Sequence, residues 1–290
     1  DGDGDTSPST LVITVSDGAG PTTTTHPTIA VDEEGLGTLS ATGSASGTAV
    51  ETNTGTVTFQ AGTDAITSAV FGLTAGVTVD VNGDTLADIV WSGGGTNQLI
   101  GKIGGLDAIQ IDLTGLALPI AAHGTDSGTV TVTLLDNFPH PDALTQNVIT
   151  LSGITVVATD TDTDTATANV TVTVTDDVPT AQADTDSVVE EQTASGNVIT
   201  DAALGDAGDT DTGADTEGAD DAVVSAVTGF GSTTVVSGDF VVVGQHGTLT
   251  LNPDGTYSYV ANANVANASP VTDTFNYTLK DGDGDTSPST

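Results

Sequence analysis

Apolar and polar residues alternate along much of the chain, and this alternation predicts β-strands. Mainly apolar, β-branched residues alternate with Thr or Asp in segments 129–135 (TVTVTLL), 156–163 (VVATDTDT) and 170–174 (VTVTV). A period of two places one face of a strand in a core and the other in solvent. Segment 248–260 contains two such runs around the turn sequence Asn252-Pro253-Asp254-Gly255, which predicts a hairpin.

The spacing of the turn signals predicts the fold class. Gly, Pro and Asn signals recur about every 8–12 residues, as they do in β-sandwiches. No long segment shows the 3.6-residue period of an amphipathic helix. We therefore expect an all-β protein made of two sandwiches in tandem.

The chain contains internal repeats. Residues 1–10 and 281–290 have the same sequence, DGDGDTSPST. A weaker copy begins at residue 160, where a D-x-D-x-D sequence precedes VTVTVTD (170–176), just as the first copy precedes LVITVSD (11–17). The same strand, turn and strand pattern thus occurs three times.

These repeats predict the domain organisation. Residues 1–20 correspond to the closing strand of a preceding repeat. Residues 21–178 then form a longer sandwich, and residues 179–290 form a shorter one that lacks its last strand. Because residues 11–17 have no host domain and the shorter sandwich has an open edge, head-to-tail self-association by strand addition is expected.

The charge balance limits the classes of partner. The 290 residues include 40 acidic and two basic ones, for a formal net charge of −38. Such a surface cannot neutralise phosphates, which excludes nucleic acid, and no apolar run is long enough for insertion into a membrane. The chain has no Cys and therefore no disulfide or thiolate metal site. The surplus of carboxylates favours cations, most simply Ca²⁺.

The D-x-D-x-D turns are the first candidate calcium ligands. Three carboxylates at this spacing repel one another unless a cation joins them. The alternative interpretation is a polar hairpin turn, in which Asp and Gly are favoured anyway. The candidate ligands of the three turns are Asp1, Asp3, Asp5, Asp160, Asp162, Asp164, Asp281, Asp283 and Asp285.

The acidic linkers supply a second candidate set. Only six of the acidic residues are Glu, and four of these stand in two pairs near the starts of the two sandwiches. Longer carboxylates at a domain base can reach an ion held by a linker. Solvated charge that protects an edge strand is the alternative. The candidates are Asp17, Glu33, Glu34, Asp176, Asp177, Glu190 and Glu191.

An acidic stretch at 206–221 is the third candidate. It contains seven acids in sixteen residues, among them Asp209, Asp211 and Asp215. A calcium loop and a solvated, disordered loop are both compatible with this composition.

Other functions receive less support. The sequence has no G-x-S-x-G, H-E-x-x-H or P-loop motif, and its four histidines are scattered, so no enzyme is expected. The alternative function is a carbohydrate- or protein-binding sandwich that uses the loops near Trp91, the single tryptophan. A buried Trp91 would argue against such a site.

Two segments carry a family resemblance. GTLTLNPDGTYSYV (247–260) and VTDTFNYTLKDGDGDTSPST (271–290) resemble the VCBS and cadherin-like repeats of giant bacterial adhesins of the RTX group, which are exported by type I secretion. The resemblance covers most of 179–290, together with 1–20. Residues 26–178 are more loosely similar to longer repeats that alternate with these. The GGxGxD nonapeptides of the calcium β-roll are absent.

The resemblance implies a structure and a role. Its members are stacked Ig-like sandwiches with Ca²⁺ bound within and between the domains. They act as extenders that hold a ligand-binding tip away from the bacterial cell surface, in cell adhesion and biofilm formation. An extracellular location, neighbouring repeats as partners and calcium-dependent stability are therefore expected.

Overall fold

A computed structural model describes residues 8–37, 42–48, 50–72, 78–80, 89–140, 146–202, 213–265 and 270–290, together with Asp3 and Thr6. Within these residues the protein is built from β-strands, with one short 3₁₀ turn at Glu33–Gly35. The strands form four sheets, which divide into an earlier and a later pair along the chain.

The earlier pair comprises eleven strands of the described residues. They are β1 (Thr22–Thr23), β2 (Thr28–Asp32), β3 (Thr52–Gln60), β4 (Ile66–Phe71), β5 (Thr78–Asp80), β6 (Val90–Ser92), β7 (Gln98–Ile103), β8 (Leu106–Thr114), β9 (Thr125–Leu134), β10 (Val148–Asp160) and β11 (Thr165–Thr175). One sheet has the order β1-β3-β9-β8-β7-β6, and the other has the order β2-β11-β10-β4, with β5 also paired to β10.

The two earlier sheets enclose one apolar core. Alternate residues of β11, from Ala166 to Val174, are buried, while the Thr residues between them face outward. Phe59, Phe71 and Phe138 are fully buried in this core. Strand β2 pairs in parallel with the last part of β11, so that Thr28 lies beside Thr171. Both strands therefore run towards the same end of the sandwich, where the linker begins.

The later pair of sheets is smaller. Its strands are β12 (Thr193–Asn197), β13 (Ala222–Thr228), β14 (Thr233–Val236), β15 (Asp239–Val243), β16 (Gly247–Leu251), β17 (Thr256–Ala261), β18 (Asn276–Asp281) and β19 (Thr286–Ser289). The sheet orders are β12-β17-β16-β15-β14 and β13-β18-β19. Val242, Leu251 and Leu279 are among the residues that fill the core between them.

The expected all-β fold is confirmed. The alternating segments form β9, β10 and β11, and the predicted hairpin joins β16 to β17 with Gly255 at φ 82°. The sheets separate between Thr175 and Thr193, while the proposed domain boundaries stay a prediction. Residues 8–20 include no strand, and Leu11, Val12, Ile13 and Val15 are more than 70% exposed. This segment has alternating strand character but pairs with no described strand.

Candidate metal centre

The two described D-x-D-x-D turns fold in the same way. In 281–285, Asp281 N donates to Asp285 O (3.1 Å), and Asp281 Oδ1 accepts from Asp285 N (2.7 Å). In 160–164, Asp160 N donates to Asp164 O (3.0 Å), and Asp160 Oδ1 accepts from Asp164 N (2.8 Å). The first Asp of each turn therefore organises the loop with one oxygen. Its other oxygen is buried without a hydrogen-bond partner.

The linker after β11 joins the turn at 281–285 to the end of the earlier sandwich. Asp176 is fully buried, and one of its oxygens lies within 4.8 Å of carboxylate oxygens of both Asp283 and Asp285. All four oxygens of Asp283 and Asp285 are shielded from solvent and have no hydrogen-bond partner. Three carboxylates from two sandwiches thus converge on one point.

The earlier sandwich contributes a second group at the same place. Glu33, which begins the 3₁₀ turn after β2, is fully buried and accepts a hydrogen bond from Phe138 N at Oε1 (2.6 Å). An oxygen of Glu33, a ring nitrogen of His140 and an oxygen of Asp176 all lie within 4.8 Å of one another, and His140 Nε2 is 3.6 Å from Glu33 Oε1. Asp176 belongs to both groups. We call the set Glu33, His140, Asp176, Asp283 and Asp285 the junction centre.

Further carboxylates surround the junction centre. Asp177 accepts hydrogen bonds from Ser44 N (2.6 Å) and Ser44 Oγ (2.5 Å), which fixes its side chain. Asp220 accepts a hydrogen bond from Asn137 Nδ2 across the two sandwiches. Among the described residues, lysine ion pairing is seen at Lys102–Asp107 on the surface, away from these acids.

The pKa values reflect the burial of these acids. Burial raises the pKa of Asp176 to about 8 although His140 opposes the shift, and burial with the neighbouring Asp281 raises the pKa of Asp283 to about 8. Burial raises the pKa of Asp220 to about 7 and also raises those of Glu33 and Asp177. Burial disfavours the charged His140, but the Glu33 carboxylate outweighs it and raises the His140 pKa to about 9. Without a cation the folded protein therefore tends to keep these acids protonated.

A second cluster lies at the other described D-x-D-x-D turn. Asp160, Asp162 and Asp164 place oxygens within 4.8 Å of one another, as do Asp17, Asp64 and Asp162. Gly20, just after Asp17, lies against Asp164. We call these five acids the leading centre. Asp160 is buried, but Asp17, Asp162 and Asp164 are exposed.

Several candidate ligands are not brought to a cluster of the described residues. Glu190 and Glu191 are exposed, and Glu190 accepts a hydrogen bond from Val265 N (3.0 Å). Asp215 instead accepts hydrogen bonds from Gln182 N (2.6 Å) and Tyr277 Oη (3.0 Å) inside the later sandwich. Burial raises its pKa to about 6.

The remaining candidate ligands either lie apart from the clusters or fall outside the described residues. Glu34 is half-buried beside the junction centre, where burial raises its pKa, but it is not part of the two junction groups. Asp3 is exposed and belongs to no cluster of the described residues. Asp1, Asp5, Asp209 and Asp211 lie outside the residues that the structure describes.

Sequence reasoning missed one residue of each centre and did not place a neighbouring acid at the junction. His140 was one of four scattered histidines, although DNFPHPD (136–142) places it among acids and prolines. Asp220 was assigned to the acidic loop and instead lies at the junction. Asp64 has no acidic neighbour within the nearest residues of the chain that could have marked it.

The junction centre has the chemistry of a cation site. Buried carboxylates without donors are costly, and neutral donors satisfy only some of these oxygens. Ca²⁺ takes six to eight oxygens from carboxylates, carbonyls and water. Asp176, Asp283 and Asp285 form an all-oxygen set of this kind, and Asp281 in the same turn has a buried oxygen without a hydrogen-bond partner.

Trp91 does not present an open binding face. Its ring is half-buried against the core of the earlier sandwich, and its Nε1 is shielded without a hydrogen-bond partner. The end of the ring lies close to Gly101, where an added Cβ would be 3.2 Å away. Trp91 thus packs along the edge of the core, which disfavours a sugar-stacking role.

Comparison with known proteins identifies one part of the chain. Among the described residues, no helix is long and apolar enough to cross a bilayer. A search of the curated proteins finds no match. Bacterial Ig domains are usually structural, non-catalytic repeats found outside the cell or at its surface. Residues 176–290, which comprise the linker and the later sandwich, match the family of the bacterial Ig domain, in agreement with the Ig-like β-sandwich fold.

Proposed function

We propose that this protein is a structural extender segment of a large bacterial surface adhesin, stiffened by Ca²⁺ at the joint between its sandwiches. The observation that carries the proposal is the junction centre. Glu33 and His140 from one sandwich, Asp176 from the linker, and Asp283 and Asp285 from the other sandwich converge there in two groups that share Asp176. An ion at this point would tie three segments of chain together.

Electrostatics gives the ion a mechanical role. Without a cation, Asp176, Asp283 and Asp285 must either stay protonated or repel one another once they ionise, and the least costly relief of that repulsion is to move the sandwiches apart. A bound Ca²⁺ reverses the sign of this interaction and favours one angle between the sandwiches. Because the ion binds the folded joint and not the unfolded chain, it also stabilises the fold by mass action.

The wider setting of the proposal rests on composition and resemblance. The net charge of −38 opposes compaction until calcium is present, which suits a chain exported unfolded by type I secretion and folded outside the cell. The absence of Cys is compatible with such export. The bacterial Ig match supports a structural extracellular repeat. The RTX group, adhesion and biofilm formation are proposed on the resemblance of the repeats.

The test combines stability with shape. We expect the melting temperature to rise by 10 °C or more in millimolar Ca²⁺ relative to chelator, on the order of 3 kcal/mol or more. Small-angle scattering should show a longer and more uniform particle with Ca²⁺. Equal melting temperatures and equal scattering profiles in the two conditions would refute the proposal.

A variant pair locates the effect. Asp285→Asn removes a charged ligand of the junction centre, and Asp239→Asn makes the same change in β15, outside both centres. The first should lose most of the calcium-dependent stiffening and the second should keep it. If both behave like the parent protein, the calcium acts elsewhere.

Self-association by strand addition is a further part of the proposal. In β11, the buried residues Val170, Val172 and Val174 correspond to Leu11, Ile13 and Val15 in the unpaired segment. Beside the later sandwich, Asp184 N donates to Thr290 O (2.9 Å), which resembles the start of the parallel β2–β11 ladder. Residues 11–17 of a second copy fit the position that follows Thr290 in this polypeptide.

A matched pair of substitutions tests this association. Ile13→Asp places a charge on the face that would enter the core, whereas Thr14→Asp places it on the outward face. Light scattering at high concentration should show concentration-dependent assembly for the parent and for Thr14→Asp, and monomers for Ile13→Asp. A parent protein that stays monomeric at all concentrations would rule the association out.

A further inference from the structure

The junction centre contains a nitrogen ligand that calcium does not need. The His140 side chain is fully buried, and its Nε2 has no hydrogen-bond partner. The other ring nitrogen, Nδ1, lies 2.7 Å from Asn147 Oδ1. Asn147 also directs Nδ2 towards Asp176 Oδ2 (3.4 Å), which fits an orientation in which its Oδ1 accepts from His140 Nδ1–H. This arrangement turns Nε2 into the centre, where its lone pair becomes available to a metal ion that displaces the Nε2 proton.

The groups that face Nε2 are carboxylates. Glu33 Oε1 lies 3.6 Å from Nε2, and the ligand atoms of Glu33, His140 and Asp176 lie within 4.8 Å of one another. Glu33 Oε2 and Asp176 Oδ1 are buried and unpartnered. A separation of 3.6 Å is longer than a good hydrogen bond. It is close to the roughly 3.3 Å between two ligand atoms held at a tetrahedral angle about 2.0–2.1 Å from one metal ion.

We propose that Glu33, His140 and Asp176 form a second metal site, selective for a divalent transition-metal cation such as Zn²⁺, beside the all-oxygen calcium site. Imidazole favours Zn²⁺ and related ions, whereas Ca²⁺ takes oxygen ligands. Two carboxylates and one imidazole leave a coordination position for water. The contact of His140 Nδ1 with Asn147 has the form of the outer-sphere bond that holds metal-ligating histidines in one tautomer.

With the second site, the geometry of the joint would respond to a transition-metal ion as well as to Ca²⁺. Asp176, which belongs to both groups of ligand atoms, would be shared by the two sites. This inference deepens the proposed function, since it shares Asp176 with the calcium site, but it concerns a different ion and a different ligand atom. The joint would then depend on two cations, with the transition metal bound mainly by the earlier sandwich.

Titration of the full chain with Zn²⁺ in saturating Ca²⁺ tests the site. Calorimetry should show one tight Zn²⁺ per chain, and His140→Gln should weaken it at least 100-fold. His123→Asn, which removes an exposed histidine, should bind as the parent does. Equal Zn²⁺ affinity in His140→Gln and the parent would overturn the proposal, as would no binding to the parent.

A measurement on the parent protein tests the site even if His140→Gln does not fold. In ¹⁵N-labelled protein, Zn²⁺ should shift the Nε2 resonance of one histidine while Ca²⁺ leaves it near its metal-free position. If the resonance instead reports an imidazolium in saturating Zn²⁺, His140 is an ion-pair partner of Glu33 and the site is refuted. If Ca²⁺ does not stiffen or stabilise the protein but Zn²⁺ still shifts the Nε2 resonance, the proposed function is refuted and the Zn²⁺ site is not.

Discussion

The D-x-D-x-D turns at 160–164 and 281–285 share the hydrogen bonds between their first and last Asp but have different surroundings. In the leading centre, Asp162 and Asp164 are exposed, and Thr163 occupies the left-handed region at φ 82°. In the junction centre, Asp285 is 1% exposed, and Gly284, which tolerates φ 113°, stands where the other turn has Thr163. The same loop is thus a surface feature in one place and an enclosed one in the other.

The difference arises from what a second sandwich adds. At 281–285 the earlier sandwich places Glu33, His140 and Asp176 over the loop, which removes water and raises the pKa values of the acids. At 160–164 the described neighbours are Asp17 and Asp64. An exposed carboxylate cluster keeps its water and gains little from one ion, whereas a buried cluster depends on it. The proposed cation binding at the joint would therefore be a property of the pair of sandwiches.

The largest expected effect separates the two linker acids. Asp176→Asn removes the carboxylate common to both junction groups, and Asp17→Asn changes its counterpart in the leading centre. In millimolar Ca²⁺ we expect Asp176→Asn to lower the free energy of unfolding by about 2–3 kcal/mol and Asp17→Asn to leave it within error. Chemical denaturation with Ca²⁺ measures both. Equal losses would show that the two centres bind alike.

The pH dependence should differ in sign with and without calcium. The pKa values of Asp176 and Asp283 are about 8 and that of Asp220 about 7, against 3.8 for an ordinary Asp. The contribution of these groups to the free energy of unfolding is therefore fully present below pH 3.8 and is lost as the pH rises through 7–8. His140, with a pKa of about 9, stays charged over most of this range.

Thermal melts across this range check the signs. In chelator we expect a melting temperature that falls from pH 5 to pH 8.5. In Ca²⁺ the ion replaces the protons, and the fall should disappear or reverse. A melting temperature in chelator that rises with pH would contradict the assignment of the buried acids.

A smaller effect with opposite signs is expected at Glu33. Burial raises its pKa, so Glu33→Gln removes a desolvation cost in the absence of metal while keeping an acceptor for Phe138 N; without the Glu33 carboxylate, burial lowers the His140 pKa and leaves the imidazole neutral. We expect a gain of about 1 kcal/mol in chelator and a loss of similar size with metal bound. Two melts of one variant suffice, and effects of the same sign in both conditions would exclude Glu33 as a ligand.

The smallest effect is expected in the leading centre. Asp162 is exposed, and a hydrogen bond with Asp160 raises its pKa. Asp162→Asn removes one like charge from an open cluster, so we expect no measurable change in the calcium-dependent part of the stability. The corresponding Asp283→Asn should change it clearly, and melts of both variants with and without Ca²⁺ make the comparison.

The strands were predictable because their signal is local. Alternation in β9, β10 and β11 requires only neighbouring residues, and Asn252 to Gly255 specify their own turn. The acids of the junction turn were also predicted, because the D-x-D-x-D spacing of Asp281, Asp283 and Asp285 indicates a cation-binding turn. Local patterns thus gave the sandwich class and named every residue of the junction centre except His140 as a candidate ligand.

The way in which the residues of the centre meet depends on contacts between distant parts of the chain. Glu33 meets Phe138 across 105 residues of sequence, and His140 reaches the site from a loop with no pattern of its own. Glu190 and Glu191 follow their linker at nearly the same spacing as Glu33 and Glu34, yet the described structure brings them to no cluster. Spacing identified candidate acids, but only the packing of sheets decides which of them meet.

The parallel pairing of β2 with β11 has a consequence for tension. Strand β2 lies near the start of the earlier sandwich and β11 at its end, and Thr28–Asp32 pair with Thr171–Thr175. A pull that separates the two ends slides these strands along each other, so that the bonds of the ladder bear the force together and cannot open one at a time. Asp176 follows this ladder directly. A cation at the junction would therefore clamp the chain where a pulling force enters the sandwich.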